Sequence, residues 1–170
     1  SILYNLAIRG VTKPVLLERD TLGSGSTGRS SGVIRMHYST QVTARLAWES
    51  FRIFQEFDDL VGGGDVGWVR TGFMVVVPHD SIDALKQNIS MQQSVGINTS
   101  IVSRGEAGEL APAFRFEDGE AIAWEPESGY GDPSGTALAY SIRARELGAQ
   151  VVLESPARTV EIRDGRVVAV

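Results

Sequence analysis

The hydrophobic and polar positions of the first 40 residues predict a helix, a strand and a loop. Residues 2–9 are mostly apolar, as in a buried or half-buried helix, and Gly10 is placed to end that helix. The apolar run 15–17 lies between a proline and charged residues, which is typical of a buried parallel strand. Residues 21–35 hold four glycines and six Ser or Thr residues, a composition that predicts a loop.

The pattern then predicts a long helix and a strand region. Apolar residues recur on one face from about Thr40 to Val61, and the glycines at 62–64 are expected to end this helix. The run 68–78 is rich in β-branched and aromatic residues. It therefore predicts one or two strands.

Three later helices have recognisable start signals. Asp80 or Ser81 is expected to cap the first of them. The segment 103–106 reads S-x-x-E, a capping box for a short helix. The pair at 132–133 is Asp-Pro, a strong N-cap and first position for a helix that runs to about residue 147.

The remaining strand signals complete a mixed pattern. Strands are expected near 121–125 and 151–153, and the Asp-Gly pair at 164–165 predicts a type I′ turn between two further strands. Helices and strands alternate without repeats or low-complexity segments. The fold class is therefore predicted as α/β with α+β character.

Composition limits the kinds of partner. Hydrophobic residues make up 42% and charged residues 22% of the 170 residues, as in soluble globular proteins. The net charge is −5 and Lys and Arg form no run, which argues against a nucleic-acid partner. No apolar stretch is long enough for a membrane span. The absence of cysteine excludes thiolate sites and favours a cytoplasmic protein, and the two histidines are too isolated to predict a metal site.

The start of the sequence affects this interpretation. The chain begins at Ser1, already within an apolar helix-like stretch, and we expect the natural start to lie upstream. Targeting therefore cannot be read from these residues.

Glu18 has the position of a ribose-binding acid. In dinucleotide-binding folds, an acidic residue at the end of the second strand accepts hydrogen bonds from ribose hydroxyls. The G-x-G-x-x-G fingerprint belongs about 20 residues earlier, upstream of Ser1. Two interpretations stay open: the chain is an internal fragment of such a fold, or Glu18 is an ordinary solvated carboxylate at a strand end.

The loop after Glu18 has the composition of an anion-binding segment. Glycines at 23, 25, 28 and 32 allow backbone N–H groups to approach a ligand closely, and the Ser and Thr hydroxyls add small donors. Arg29 and Arg35 add planar cations suited to carboxylate or phosphate. The alternative is a flexible surface loop, but the apolar pair at 33–34 favours ligand contact.

The run VLLERDTLGSGSTGRSSGVIRMHYS at 15–39 resembles flavoprotein amine oxidases of the D-amino-acid oxidase and sarcosine oxidase superfamily. It is most similar to the beta subunit of heterotetrameric sarcosine oxidase. The segments 71–77, 103–112 and 129–151 resemble the family in order and spacing. The resemblance implies a partial Rossmann-like FAD-binding domain with an inserted antiparallel-sheet substrate domain. The ranges it implies are 1–40 for FAD binding, 41–130 for substrate and 131–170 for a return to the FAD-binding domain.

The same resemblance implies roles for individual residues. The expected FAD contacts are Glu18 at the ribose, Arg19 beside the adenosine, Ala157 at the adenine, and Ser26, Thr27, Gly32, Val33 and Ile34 at the flavin. The expected substrate contacts are Arg35, His37 and Tyr38. From the residues alone, a surface or packed position stays open for His37. No catalytic residue is assigned.

Two departures from the family limit these roles. Monomeric sarcosine oxidases carry a second arginine where this chain has Gly32, so binding of substrate by an arginine pair is in doubt. A histidine that anchors a second flavin, FMN, in the heterotetrameric relatives aligns near Pro133, so covalent FMN is not expected.

The resemblance implies an enzyme that uses FAD to oxidise the C–N bond of a small amino acid or N-methyl amino acid such as sarcosine. Other subunits of an oxidase complex are candidate partners. The 170-residue chain alone is expected to be inactive and to hold FAD poorly, because it lacks the helix N-terminus that neutralises the pyrophosphate. Two alternatives stay open: a non-catalytic binding module or subunit fragment, and another flavoprotein such as a glycerol-3-phosphate dehydrogenase relative.

Overall fold

The computed structural model describes residues 1–170, and the chain divides into two compact units. Unit 1 comprises Ser1–Ser31, Phe57–Gly67 and Asp132–Val170, and unit 2 comprises Gly32–Glu56 and Trp68–Gly131. These boundaries describe packing. The functional ranges 1–40, 41–130 and 131–170 stay predictions.

Five α-helices and ten β-strands make up the two units. The helices are α1 (Ile2–Ile8), α2 (Gln41–Gln55), α3 (Ile82–Val95), α4 (Arg104–Leu110) and α5 (Pro133–Glu146). The strands are β1 (Val15–Leu17), β2 (Val33–Ile34), β3 (Val69–Arg70), β4 (Phe73–Val77), β5 (Ser100–Val102), β6 (Ala121–Glu125), β7 (Gly129–Tyr130), β8 (Gln150–Val152), β9 (Glu161–Arg163) and β10 (Arg166–Ala169). The predicted mixed fold is confirmed. No helix is both long and apolar enough to cross a membrane.

In unit 1, strand β1 lies parallel to β8, as its sequence predicts. Leu16 is paired with Val151, and both pack on a core that α1 and α5 form through Leu3 and Ala144. The expectation that β1 is buried is wrong, because Val15 is 51% exposed. The reason is that β1 has a single neighbouring strand, so its outer positions are left uncovered.

Local signals in unit 1 are confirmed by its backbone geometry. Asp132 caps α5, and its Oδ1 accepts a hydrogen bond from the Ser134 N–H at 2.9 Å. Asp164 and Gly165 have φ values of +50° and +73°, as a type I′ turn requires, and they join the antiparallel strands β9 and β10.

The main sheet of unit 2 is antiparallel with the order β4-β6-β5. Ala121 and Ala123 of β6 face the α3 residues Leu85 and Ile89. The alternating residue Ile122 belongs to a separate cluster with Ala107 of α4. The sheet is therefore covered by a helix on each face, as the period-2 alternation of strand side chains allows.

A second antiparallel sheet in unit 2 has the order β2-β7-β3 and packs near α2. Phe51 of α2 is fully buried in a cluster with Met36. The ring centroids of Trp48 and Trp68 lie 5.8 and 5.7 Å from that of Phe51. These two tryptophans are thus packed against the core.

Two helix predictions need correction. The helix predicted over 40–61 ends at Gln55, and a separate π-helical turn covers Asp58–Gly62. Phe57 and Val61 are buried in unit 1, so the apolar stripe read as one helix face belongs to two packing environments.

The second correction concerns the start of α3. Ser81 holds the N-cap position of this helix, as one of the two predicted alternatives, but its side chain makes no capping hydrogen bond, and a 3-10 turn at His79–Ser81 precedes the helix. The Ser81 hydroxyl instead donates a hydrogen bond to Asp80 Oδ1 at 3.0 Å.

Candidate functional site

Glu18 lies at the carboxyl end of the parallel strand β1 and is half-exposed. Its backbone continues the pairing with β8, since the Glu18 N–H donates to the Val152 oxygen at 2.9 Å. The Glu18 Oε1 atom accepts a hydrogen bond from the Asp20 N–H at 3.0 Å. The acid is therefore held at the strand end, where dinucleotide-binding folds place a ribose-binding carboxylate.

The loop that follows is a series of tight turns. The Gly28 N–H donates to the Gly23 oxygen at 2.7 Å, and a 3-10 turn spans Thr27–Arg29. A Cβ atom on Gly28 would lie 2.4 Å from that oxygen, so this closure requires glycine. Both glycines lie close to Ser134, in the first turn of α5. The unusual backbone that the composition predicted is present.

The other FAD-contact candidates of unit 1 lie at its surface. Arg19, Ser26, Thr27 and Ala157 are all exposed. Ser26 holds the N-cap position of the 3-10 turn, but its hydroxyl does not cap the turn. That hydroxyl is therefore available to a ligand.

The FAD-contact candidates of unit 2 lie around the short strand β2. Gly32 is buried, Val33 is 50% exposed and Ile34 packs partly against the cluster around Met36. Val33 and Ile34 pair with the two residues of β7. The apolar pair therefore belongs to a sheet, with one member facing outward.

Arg35 is held between two aromatic rings in unit 2. Its guanidinium carbon lies 4.7 Å from the Tyr38 ring centroid and 5.3 Å from the Phe73 ring centroid. Its Nη1 donates a hydrogen bond to the main-chain oxygen of His37. No carboxylate of the chain lies within salt-bridge distance of this guanidinium, as the six ion pairs involve other residues. Cation–π contact orients the group and leaves its charge available to an anion.

Arg35 and Tyr38 line one cavity of unit 2, with a volume of about 380 Å³. The rest of its lining comes from β2 and α2, and apolar side chains such as Leu46 and Phe54 contribute much of it. A cationic group at an apolar cavity can bind a small ligand that carries one carboxylate.

His37 faces a different cavity, of about 430 Å³, which it lines with Asn88 and Met91. Its side chain is 10% exposed, and Nδ1 lies 3.6 Å from Glu125 Oε1. The Nε2 atom lies 3.2 Å from Asn88 Nδ2. The structure thus brings Arg35 and Tyr38 together and turns the His37 ring toward a buried carboxylate.

Sequence reasoning missed three polar or aromatic residues near this segment: Phe73, Gln92 and Glu125. A pattern could have indicated two of them. Gln92 follows Leu85 and Ile89 at helical spacing on an apolar face, and Glu125 ends a strand that is otherwise apolar. A polar residue at a position that periodicity assigns to the core needs a hydrogen-bond partner there.

The family whose sequence profile matches residues 1–170 is described as FAD dependent oxidoreductase. The chain belongs to this family. The resemblance to flavoprotein amine oxidases is confirmed, together with FAD as the cofactor on which the family depends.

Individual relatives agree with this family. The chain is 27% identical over 161 residues to human mitochondrial sarcosine dehydrogenase, covering 94% of this chain and 18% of that protein. It is 28% identical over 171 residues to the mitochondrial pyruvate dehydrogenase phosphatase regulatory subunit of Mus musculus, covering 100% of this chain and 19% of that protein. The L-proline dehydrogenase structure from P. horikoshii matches with a TM-score of 0.88 at 24% identity, covering 98% of this chain and 44% of that chain. The chain thus spans about a fifth of the curated relatives and under half of the solved one.

Proposed function

We propose that the protein carrying this chain uses FAD to oxidise the C–N bond of a small amino acid or N-methyl amino acid. The observation that carries this proposal is Arg35, a guanidinium oriented by two aromatic rings at a largely apolar cavity and without a carboxylate partner in the chain. An amino-acid substrate supplies that carboxylate. Its short aliphatic or N-methyl group suits the apolar lining.

The candidate residues of unit 1 are proposed to contact both the adenosine and the flavin of FAD. Glu18 offers a carboxylate at the end of a parallel strand, and Ser26 offers an uncommitted hydroxyl on a loop closed by glycine. Arg19 and Ala157 are proposed as further contacts of the adenosine, and Ser26 and Thr27 as contacts of the flavin. In unit 2, Gly32, Val33 and Ile34 are proposed to contact the flavin. Bound FAD would supply the acceptor for a hydride from the substrate carbon, which would leave the substrate as an iminium cation.

The proposed division of labour follows the two units. Unit 1 is proposed to bind most of the cofactor, and unit 2 is proposed to bind substrate through Arg35 and Tyr38 in addition to its flavin contacts. We also propose that other subunits of an oxidase complex are partners and that the protein is cytoplasmic. The sarcosine dehydrogenase relative is named mitochondrial, so the location is the part that the relatives support least.

The first experiment is an absorption spectrum of the full-length protein before and after anaerobic addition of sarcosine, proline or dimethylglycine. We expect flavin bands that bleach with one of these amino acids. Glycerol 3-phosphate is added to a parallel sample, and bleaching by it but by none of the amino acids would instead favour a glycerol-3-phosphate dehydrogenase relative.

Two substitutions test the assigned residues. Arg35→Lys is expected to raise the substrate Kd about ten- to a hundredfold, since lysine cannot keep a planar fork stacked between two rings. Arg52→Lys, on the exposed side of α2, is the matched control and should leave the Kd unchanged. An unchanged Kd in Arg35→Lys would remove the basis of the substrate proposal.

For the cofactor, Glu18→Ala is expected to weaken FAD binding by about 1 to 3 kcal/mol, because the ribose hydroxyls of bound FAD would lose their hydrogen-bond acceptor. Glu161→Ala, on the exposed hairpin β9–β10, is the control. Equal FAD affinity in the two variants would count against the role of Glu18.

A second function has one observation in its favour. The relative with 28% identity is named a regulatory subunit, which fits a non-catalytic binding module. A full-length protein that is colourless and cannot be loaded with FAD would favour this alternative over the oxidoreductase.

A further inference from the structure

Buried polar side chains of unit 2 converge on the non-helical segment 35–38. The Met36 N–H donates a hydrogen bond to Glu125 Oε2 at 3.0 Å. Gln92 Nε2 donates to the Tyr38 main-chain oxygen at 3.0 Å. Glu125 is 1% exposed and Gln92 is 0% exposed. These side chains therefore satisfy backbone groups that no strand or helix satisfies.

The two oxygens of the Glu125 carboxylate have different surroundings. Oε2 accepts hydrogen bonds from the Met36 N–H and from Ser128 Oγ at 2.8 Å. Oε1 is buried without a hydrogen bond and faces His37 Nδ1 at 3.6 Å, a nitrogen that is also buried without one. Each of these two atoms is the available partner of the other, and an unpaired buried polar atom is costly.

The Glu125 oxygen and the Asn88 amide are both compatible with one neutral tautomer of His37. A carboxylate oxygen can only accept, so in that tautomer Nδ1 carries its proton toward Glu125 Oε1 and Nε2 keeps a lone pair. Asn88 Nδ2 lies 3.2 Å from Nε2 and can donate to it. The ring then has a suitable partner on both sides.

We propose that Glu125 is a positioning residue for the substrate-binding segment 35–38. Its carboxylate anchors the Met36 N–H and holds His37 as the Nδ1–H tautomer, so that Arg35 and Tyr38 stay in their observed arrangement. The proposal rests on the proposed function, in which Arg35 binds the substrate carboxylate. It gives His37 a role through Glu125 and Asn88 in place of a direct substrate contact.

A spectroscopic test uses full-length protein labelled with ¹⁵N-histidine at neutral pH. The His37 signal is identified by its loss in His37→Asn, and we expect the Nδ1–H tautomer. Glu125→Gln is isosteric: its amide oxygen can keep the Met36 and Ser128 hydrogen bonds, while its NH₂ faces His37 Nδ1. We expect the His37 tautomer to invert to Nε2–H in this variant.

The exposed His79 provides the internal control, since its signal should be the same in both proteins. An Nε2–H tautomer of His37 in the wild type would overturn the proposal. So would a tautomer that Glu125→Gln does not change. This measurement requires no turnover and is independent of the substrate.

A kinetic test uses sarcosine as the probe. Glu125→Leu removes the acceptor of the Met36 N–H and is expected to raise KM about ten- to a hundredfold, with a smaller change in kcat and unchanged FAD content. Gln92→Met removes the donor to the Tyr38 oxygen and should also raise KM. This variant replaces Glu125→Leu in the test if Glu125→Leu does not fold. Glu109→Leu, at an exposed position of α4, is the control.

The outcomes separate the two proposals. If Arg35→Lys leaves the KM for sarcosine unchanged, the proposed function fails. If Arg35→Lys raises KM while both Glu125→Leu and Gln92→Met fold and leave it unchanged, the positioning role is overturned and the proposed function stands.

Discussion

Gly72 packs so closely against Trp124 that its replacement provides a quantitative test of unit 2. Gly72 lies between β3 and β4 with a φ of +74°, and its N–H donates to the Ser128 oxygen at 2.7 Å. A Cβ atom at this position would lie 1.8 Å from Cη2 of the Trp124 ring. Trp124 is on the central strand β6, so Gly72→Ala must displace either the ring or the turn.

The expected cost is the sum of two unfavourable effects less one offset. A left-handed conformation costs a non-glycine residue about 1 to 2 kcal/mol. Forcing an extra methyl group into a packed site adds about 1 to 3 kcal/mol. The reduced freedom of the unfolded chain offsets about 0.4 to 1 kcal/mol. We therefore expect Gly72→Ala to lower the free energy of unfolding by about 3 kcal/mol.

Substitutions at two other glycines of unit 2 separate the cost of backbone strain from the cost of steric overlap. Gly96 has a φ of +103°, but the nearest atom to its Cβ position is Trp48 Nε1 at an ordinary 3.5 Å, so Gly96→Ala should cost only about 1 kcal/mol. Gly108 is inside α4 with nothing within 4 Å of its Cβ position, so Gly108→Ala should stabilise by about 0.5 to 1 kcal/mol.

The assay is urea unfolding followed by tryptophan fluorescence, because all three tryptophans of the chain lie in unit 2. A cost for Gly72→Ala no greater than that for Gly96→Ala would refute the packing of Trp124 over Gly72.

Three further predictions use the same unfolding measurement. Phe51→Ala should cost about 3 to 5 kcal/mol, since this ring is fully buried; a loss below 1 kcal/mol would contradict that burial. Asp132→Ala should cost about 0.5 to 2 kcal/mol by removing the cap of α5, detected by far-UV circular dichroism, and an unchanged midpoint would contradict it. Hydrogen bonds from Ser103 hold the pKa of Glu106 below its usual 4.5. The Glu106 carboxylate therefore stabilises the fold above pH 4.5, and this contribution is lost as the pH falls through the lowered pKa. The difference in the free energy of unfolding between wild type and Glu106→Gln should therefore shrink on acidification. A difference that does not depend on pH would argue against the capping box.

Signals confined to a few residues were readable from the sequence. The capping box of Ser103 and Glu106 and the cap formed by Asp132 each join groups two or three residues apart. Such interactions depend on the local backbone alone, so a residue pattern is enough to predict them.

The candidate site was predicted in part. The sequence identified the segment that carries Arg35, and Glu18 at a strand end, because residue type and spacing distinguish both. It did not identify Phe73 beside Arg35 or Glu125 beneath Met36. The Met36–Glu125 hydrogen bond spans 89 positions, and no local pattern relates residues that far apart.

The sequence by itself therefore determined the family, the cofactor class and most of the helices and strands. Only the tertiary structure decided that Phe57 and Val61 are buried in unit 1 while the α2 helix that precedes them in sequence belongs to unit 2, and that the His37 ring faces a buried carboxylate. Local propensity acts over one or two helical turns, whereas burial is decided by whichever distant segments come together when the chain folds.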